Sequence, residues 1–179
     1  SNELPIGIEK TTIKSVVTIH DLIFMRFPNL FNCIDRKIYY KKSKSACERA
    51  DKIIAISEQT KQDIIELLNI PEEKINVVYQ GCNHVFQRKI PLQRQQYIIK
   101  KYDLQQDYLL YVGTIEKRKN LLTLLKVIKE LPKQKLIIIG DGKSYKNKCL
   151  EFITKYKLSN RVILLSGLST EEIAIVYRS

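Results

Sequence analysis

Hydrophobic residues along this chain alternate between short β-branched or aromatic runs and longer stretches in which apolar positions recur every three or four residues. The runs at Val16 to Ile19, Lys52 to Ser57, Ile75 to Tyr79, Tyr108 to Val112, Lys135 to Ile139 and Arg161 to Leu165 predict buried strands. The longer stretches predict helices. One covers Asn32 to Ala50, and a second opens at Ser57-Glu58 with Thr60, Ile64, Leu67 and Leu68 inward. A third covers 120–131 with Leu121, Leu124, Leu125, Ile128 and Leu131 inward, and a fourth turns Tyr145, Cys149, Phe152, Ile153 and Tyr156 inward. The last begins at Thr170 behind the capping box Ser169-Thr-Glu-Glu172 and runs to Ser179 without a stop signal, as if cut off. An extended start and a loop from Phe24 to Phe31, fixed by Pro28, complete the first part. Strands alternating with helices predict an α/β fold with parallel sheets.

The pattern lapses once. From about Gln87 to Gln106 buried character falls away, and Arg88, Lys89, Arg94, Lys100 and Lys101 appear among glutamines, which predicts a connector with one exposed helix. The expected division is therefore residues 1–87, a linker over 88–106, and 107–179.

Composition narrows the class. The 179 residues contain 44% hydrophobic positions, enough for a packed core, and no apolar run of about 18 residues that would span a membrane. The first seven residues lack the basic and apolar pattern of a signal peptide, so the expected compartment is the cytoplasm. Cys33, Cys47, Cys82 and Cys149 are widely spaced, and with only two histidines they predict reduced thiols and no zinc site. The 31 Lys+Arg against 19 Asp+Glu, a net charge of +12, suit nucleic acid, anionic lipid or phosphorylated substrates equally well. Arg36, Lys37, Lys41, Lys42, Lys44 and Arg49 surround Tyr39 and Tyr40 on the predicted helix over 32–50. Such a helix can lie on an anionic membrane, follow a phosphate backbone, or simply present a solvated face.

Three strand ends carry candidate chemistry. The stretch from Gly113 to Asn120 joins a strand to a helix start and holds Lys117, Arg118 and Lys119. Glycine permits close approach, a helix N-terminus offers N–H groups, and the cations add charge, a combination that suits a diphosphate. An ordinary loop with solvated lysines has the same pattern, and neither a Walker A nor a G-x-G-x-x-G motif is present. His20 and Asp21 follow the first strand, where open α/β sheets bind ligands. The alternative is a histidine satisfied by a backbone carbonyl beside an aspartate that caps a turn. Ser57 closes the second strand and serves either as an N-cap or as a ligand contact.

Five segments in order resemble the group 1 glycosyltransferases, glycosyltransferase family 4. They are Thr18-Ile-His-Asp-Leu22, Ala50-Asp-Lys-Ile-Ile-Ala-Ile-Ser-Glu-Gln-Thr-Lys61, Lys74-Ile-Asn-Val-Val-Tyr-Gln-Gly81, Tyr111-Val-Gly-Thr-Ile-Glu-Lys-Arg-Lys-Asn120 and Ile137-Ile-Ile-Gly-Asp-Gly142. The resemblance implies two Rossmann-like β/α units of the GT-B type, both incomplete in this chain, with the active site between them. It implies that Lys119 and Arg118 hold the diphosphate of a nucleotide-sugar donor, with Gly113 and Thr114 beneath it and Gly140 at the next strand end. Gly167 and Leu168 would border the base, and His20, with Asp21, would act on the transferred sugar. It further implies a glycan or lipid-linked acceptor, a retaining reaction without a metal or other cofactor, and no nucleic-acid partner; the basic helix over 32–50 adds the expectation of peripheral contact with anionic lipid at the inner face of the membrane.

Two departures stand out. Thr114 occupies a position where the family often has arginine, and the family's acidic donor-site motif and its opening strands would lie outside residues 1–179. The chain is thus expected to be an internal segment that does not turn over alone. A basic nucleic-acid-binding protein and a non-catalytic nucleotide-binding scaffold are the rival readings. The first would gather its charges on one face with exposed aromatics, and the second would need no His20.

Overall fold

The computed structural model describes residues 13–104 and 107–179, in two compact units, Ser1–Gly81 and Cys82–Ser179. The extended start ahead of residue 13 lies outside the described residues. In the first unit, β1 (Val16–Ile19), β2 (Lys52–Ala55) and β3 (Ile75–Val77) form a parallel sheet in that order. Their crossovers are α2 (Cys33–Arg49) and α3 (Glu58–Leu68), reached from β1 through a single-turn α1 (Ile23–Arg26) and a 3-10 turn at Pro28–Leu30. The expected loop over 24–31 is therefore mostly helical, because Pro28 sits in the first turn of a short helix, where its missing N–H costs nothing.

Ile19, Leu22, Ile53, Ala55, Ile64 and Leu68 are the centre of the first core. The α3 stripe reads as expected except at Asp63, a buried carboxylate among the apolar positions. It is satisfied by the Arg26 guanidinium, with Nε at 2.8 Å, and by the Gln59 amide at 2.8 Å. Helix α2 buries only Ser43, Ala46 and Cys47, so most of its surface stays in solvent. Strand β3 is shorter than expected. The Val78 N–H still bonds the Ala55 carbonyl, but Val78 and Tyr79 then leave the sheet and are exposed.

The second unit opens with a 3-10 turn at His84–Phe86 and α4 (Leu92–Lys101). A parallel sheet β4 (Tyr108–Val112), β5 (Lys135–Ile139), β6 (Val162–Leu165) follows, with α5 (Leu121–Glu130), α6 (Ser144–Lys155) and α7 (Thr170–Val176). Central β5 buries Leu136, Ile137, Ile138 and Ile139, the continuous apolar run that a parallel strand covered on both faces requires. On one face α5 and α6 pack through Leu121, Leu125, Ile128, Cys149 and Ile153, while Leu131 is half-exposed at the end of α5.

The other face corrects the expected linker. Ile90, Ile98 and Leu104 are buried against Ile137, Ile139 and Ile175, so residues 88–104 pack into the second unit's core. Three of their cations are paired, Arg88 and Arg94 with Glu171 at 2.5 and 3.2 Å, and Lys101 with Glu172 at 2.8 Å. The break between units lies at Gly81 and Cys82, ahead of the polar segment.

Candidate functional site

Each sheet is parallel, so its strand-to-helix turns gather at one edge, and the sequence-nominated residues of each unit lie there. In the second unit the turns after β4 and β5 are joined beyond the strands themselves. The Gly113 N–H donates to the Ile139 carbonyl at 2.9 Å, and the Ile115 N–H donates to the Asp141 carbonyl at 2.7 Å. This approach requires glycine. A Cβ on Gly140 would lie 2.0 Å from the Gly113 carbonyl oxygen, and one on Gly142 would lie 2.2 Å from that of Ile115. Gly140 thus acts as a spacer that lets two backbones meet. Gly142 and the buried Ile115, which do the same work, were not singled out from the sequence; the second glycine of Gly140-Asp-Gly142 was the available signal.

Gly113 has φ +146°, and its open face is covered by Lys119: a Cβ there would come within 2.8 Å of the Lys119 Nζ. Lys117–Lys119 form a 3-10 turn, and Asn120 takes the left-handed conformation at φ 52°, which folds the chain back so that Lys119 returns over the end of β4. Among the described residues no carboxylate pairs with Lys119, and its side chain is exposed. Arg118 differs, since its guanidinium bonds the Glu116 carboxylate at 2.5 Å. Thr114 is exposed, and its carbonyl accepts the Tyr111 hydroxyl at 3.0 Å.

The helix start is less open than its sequence suggests. The Leu122 N–H donates to the Tyr145 hydroxyl at 3.1 Å, and the Thr123 N–H donates to the Asn120 carbonyl at 3.1 Å. Two first-turn amides of α5 are therefore occupied, and the anion-holding capacity of the corner lies mainly with Lys119. Asp141, next to Gly140, accepts from Lys146 at 2.7 Å and from the Gly142 N–H at 2.8 Å, and these contacts hold its carboxyl below the ordinary value. Gly167 follows β6 at the same edge with φ +71° and open space around it, and Leu168 packs on the core below.

In the first unit, Asp21 accepts the Ile23 N–H at 3.2 Å, the turn-capping arrangement weighed for it. Ser57 caps α3 by accepting the Thr60 N–H at 3.1 Å. The buried Thr60 hydroxyl donates to the His20 carbonyl at 3.1 Å, so Ser57, 2.9 Å from it, is the donor to Thr60. His20 is exposed, and its Nδ1 lies 3.2 Å from the Gln80 amide nitrogen. Gln80 was not nominated as a site residue; its place just beyond a strand, like that of His20, was the available signal. His20 and Asp21 belong to a different unit from Lys119.

Two parallel three-stranded sheets with helical crossovers and candidate residues at their strand ends define a two-unit, Rossmann-like α/β architecture. The family comparisons agree in order along the chain: residues 4–86 match glycosyltransferase family 4, and residues 94–179 match the glycosyl transferases group 1. The chain belongs to the group 1 glycosyltransferases. It is 31% identical over 121 residues to the O-antigen chain mannosyltransferase B of Escherichia coli, covering 66% of this chain and 31% of that protein. It is 25% identical over 163 residues to the O-antigen chain mannosyltransferase RfbU of Salmonella typhimurium, covering 90% and 42%. Among solved structures, Anabaena HepE in complex with UDP and glucose superposes with a TM-score of 0.72 at 18% identity, covering 90% of this chain and 43% of that one. That likeness establishes the GT-B type of fold. The chain spans less than half the length of each of these relatives.

Proposed function

We propose that this chain supplies part of the donor site of a glycosyltransferase that moves a hexosyl group from a nucleotide sugar to a glycan or lipid-linked acceptor. The observation that carries the reading is the Lys119 ammonium, folded over Gly113 at the end of β4 with no carboxylate partner among the described residues. Breaking the bond between sugar and diphosphate develops negative charge on the leaving group. A cation already in place stabilises that charge more in the transition state than in the ground state. Arg118, half-compensated by Glu116, contributes less unless the pair opens. The reading assigns charge compensation to these side chains and not to a metal ion. It takes transfer to proceed with retention, and it places Gly167 and Leu168 near the base and His20 near the sugar. Family membership and relatives named for mannosyl transfer support it.

Titration calorimetry of this chain with nucleoside diphosphates tests the proposal. A charge-assisted hydrogen bond contributes about 1.5–3 kcal/mol, so Lys119→Ala should weaken binding by roughly 10- to 100-fold without lowering Tm. Lys117→Ala should change it little. In the complete enzyme Lys119→Ala should lower turnover by about 10²–10³. Equal affinity in wild type and Lys119→Ala, or no binding by either, overturns the reading.

A second part of the proposal concerns α2. Ile34, 68% exposed, and Ile38, 46% exposed, share one side of the helix with Lys37 and Lys41, opposite buried Ser43, Ala46 and Cys47. No helix among the described residues is long and apolar enough to cross a membrane. An exposed stripe of this kind fits peripheral contact with an anionic bilayer at the cytoplasmic face. Lys37→Glu with Lys41→Glu should abolish cosedimentation with anionic vesicles, and unchanged binding removes this part. Lys44, 3.9 Å from Glu48, is turned away from that role.

A further inference from the structure

We propose that Gln80 is a positioning residue for His20, fixing its imidazole with the ring proton on Nε2, so that His20 meets a bound molecule as a hydrogen-bond donor and not as a base. The Gln80 Nε2 lies 3.2 Å from His20 Nδ1. With the amide turned this way its N–H donates and Nδ1 presents its lone pair, which in the neutral ring puts the single proton on Nε2. The placement follows from the fold. After its last bond to the sheet, from Val78 N–H to the Ala55 carbonyl, the chain turns out of β3 and brings Gln80 to a residue 60 positions earlier.

His20 is thereby held at two points. The hydroxyl relay from Ser57 through Thr60 ends on its backbone carbonyl, and Gln80 holds its ring. The neighbouring carboxylate, Asp21, accepts the Ile23 N–H. Among the described residues no carboxylate is hydrogen-bonded to the imidazole. A histidine built to take up a proton has an acceptor on its far nitrogen; here that nitrogen faces an amide N–H. The group that His20 suits is a hydroxyl or phosphate oxygen. What His20 meets rests on the donor-site reading, whereas the tautomer does not.

The ring nitrogen shifts of the 15N-labelled, unliganded chain at alkaline pH test this directly. The chain has only two histidines, so a His84→Gln variant identifies the His20 signals. Wild type should show a pyridine-type Nδ1 and a pyrrole-type Nε2, the signature of one tautomer. Gln80→Leu should lose that signature and give the averaged shifts of free imidazole, and Gln80→Glu, which offers an acceptor, should move the proton to Nδ1. Both exchange an exposed side chain, and the backbone amide spectrum checks that the fold persists. A proton on Nδ1 in wild type, or unchanged ring shifts in Gln80→Leu, overturns the assignment. That failure would leave the diphosphate result at Lys119 untouched, and failure at Lys119 would leave the tautomer standing.

Discussion

The two units share one pattern of alternating strands and helices but treat their strand ends in opposite ways. In the first unit, polar side chains at the edge bind the edge itself. Asp21 caps the turn into α1, Ser57 caps α3, Thr60 ties α3 to the His20 carbonyl, and Gln80 holds the imidazole. In the second unit the edge is joined by backbone hydrogen bonds and by glycines that admit close approach, and among the described residues the Lys119 ammonium has no carboxylate partner. An edge built from backbone can present a cation to a ligand, while an edge built from side chains presents only what their mutual bonds leave over. In the first unit that remainder includes the Nε2 of His20.

The largest effect expected is cleavage of the chain itself. If the units are separate, limited proteolysis should cut first in the exposed stretch from Val78 to His84, and the segment 88–104 should resist with the second fragment. First cuts within 88–106 would restore a linker there and remove the contrast.

Gly140→Ala comes next. Its Cβ would meet backbone at 2.0 Å, so neither neighbour can yield cheaply, and a loss of about 3 kcal/mol, at the upper end for overpacking, is expected in urea unfolding of the second unit. The histidine signals of the first unit should not move. If both units lose stability together, they form one cooperative structure. Gly81→Ala, with nothing within 4 Å, should cost almost nothing.

Smaller effects sharpen the picture at α7. Ser169 caps this helix reciprocally with Glu172, and Ser169→Ala should cost about 1 kcal/mol. Glu172 is held at about 2 by Lys101 first, then by the Ser169 N–H and the Tyr102 hydroxyl. Its folded-state value is depressed, so its contribution is complete above the unfolded value near 4.3 and is lost as pH falls toward 2. Denaturation followed from pH 5 to 2 should therefore show an acid-side decline in the second unit, flattened in Glu172→Gln.

Much of this was legible in the chain. The runs read as strands at 16–19, 52–57, 75–79, 108–112, 135–139 and 161–165 each contain one, with ends one or two residues shorter at three of them, and the stripe through Leu121, Leu125 and Ile128 is a helix. The capping box at Ser169 and the loop carrying Gly113 and Lys119 also stood in the sequence, because caps, turns and periodicity are local properties.

What stayed hidden depended on distant residues. Residues 88–106 looked like a connector because the partners that neutralise Arg88, Arg94 and Lys101 are Glu171 and Glu172, some 70 to 80 positions later. Ile90, Ile98 and Leu104 are too few to show a period and become core only when β5 and α7 cover them. Asp63 falls outside the inward stripe read for α3 and is buried because Arg26 reaches it, and Gln80 meets His20 only because the fold sets them together. Charge pairing and burial belong to pairs of positions, and only the tertiary structure decides which positions meet.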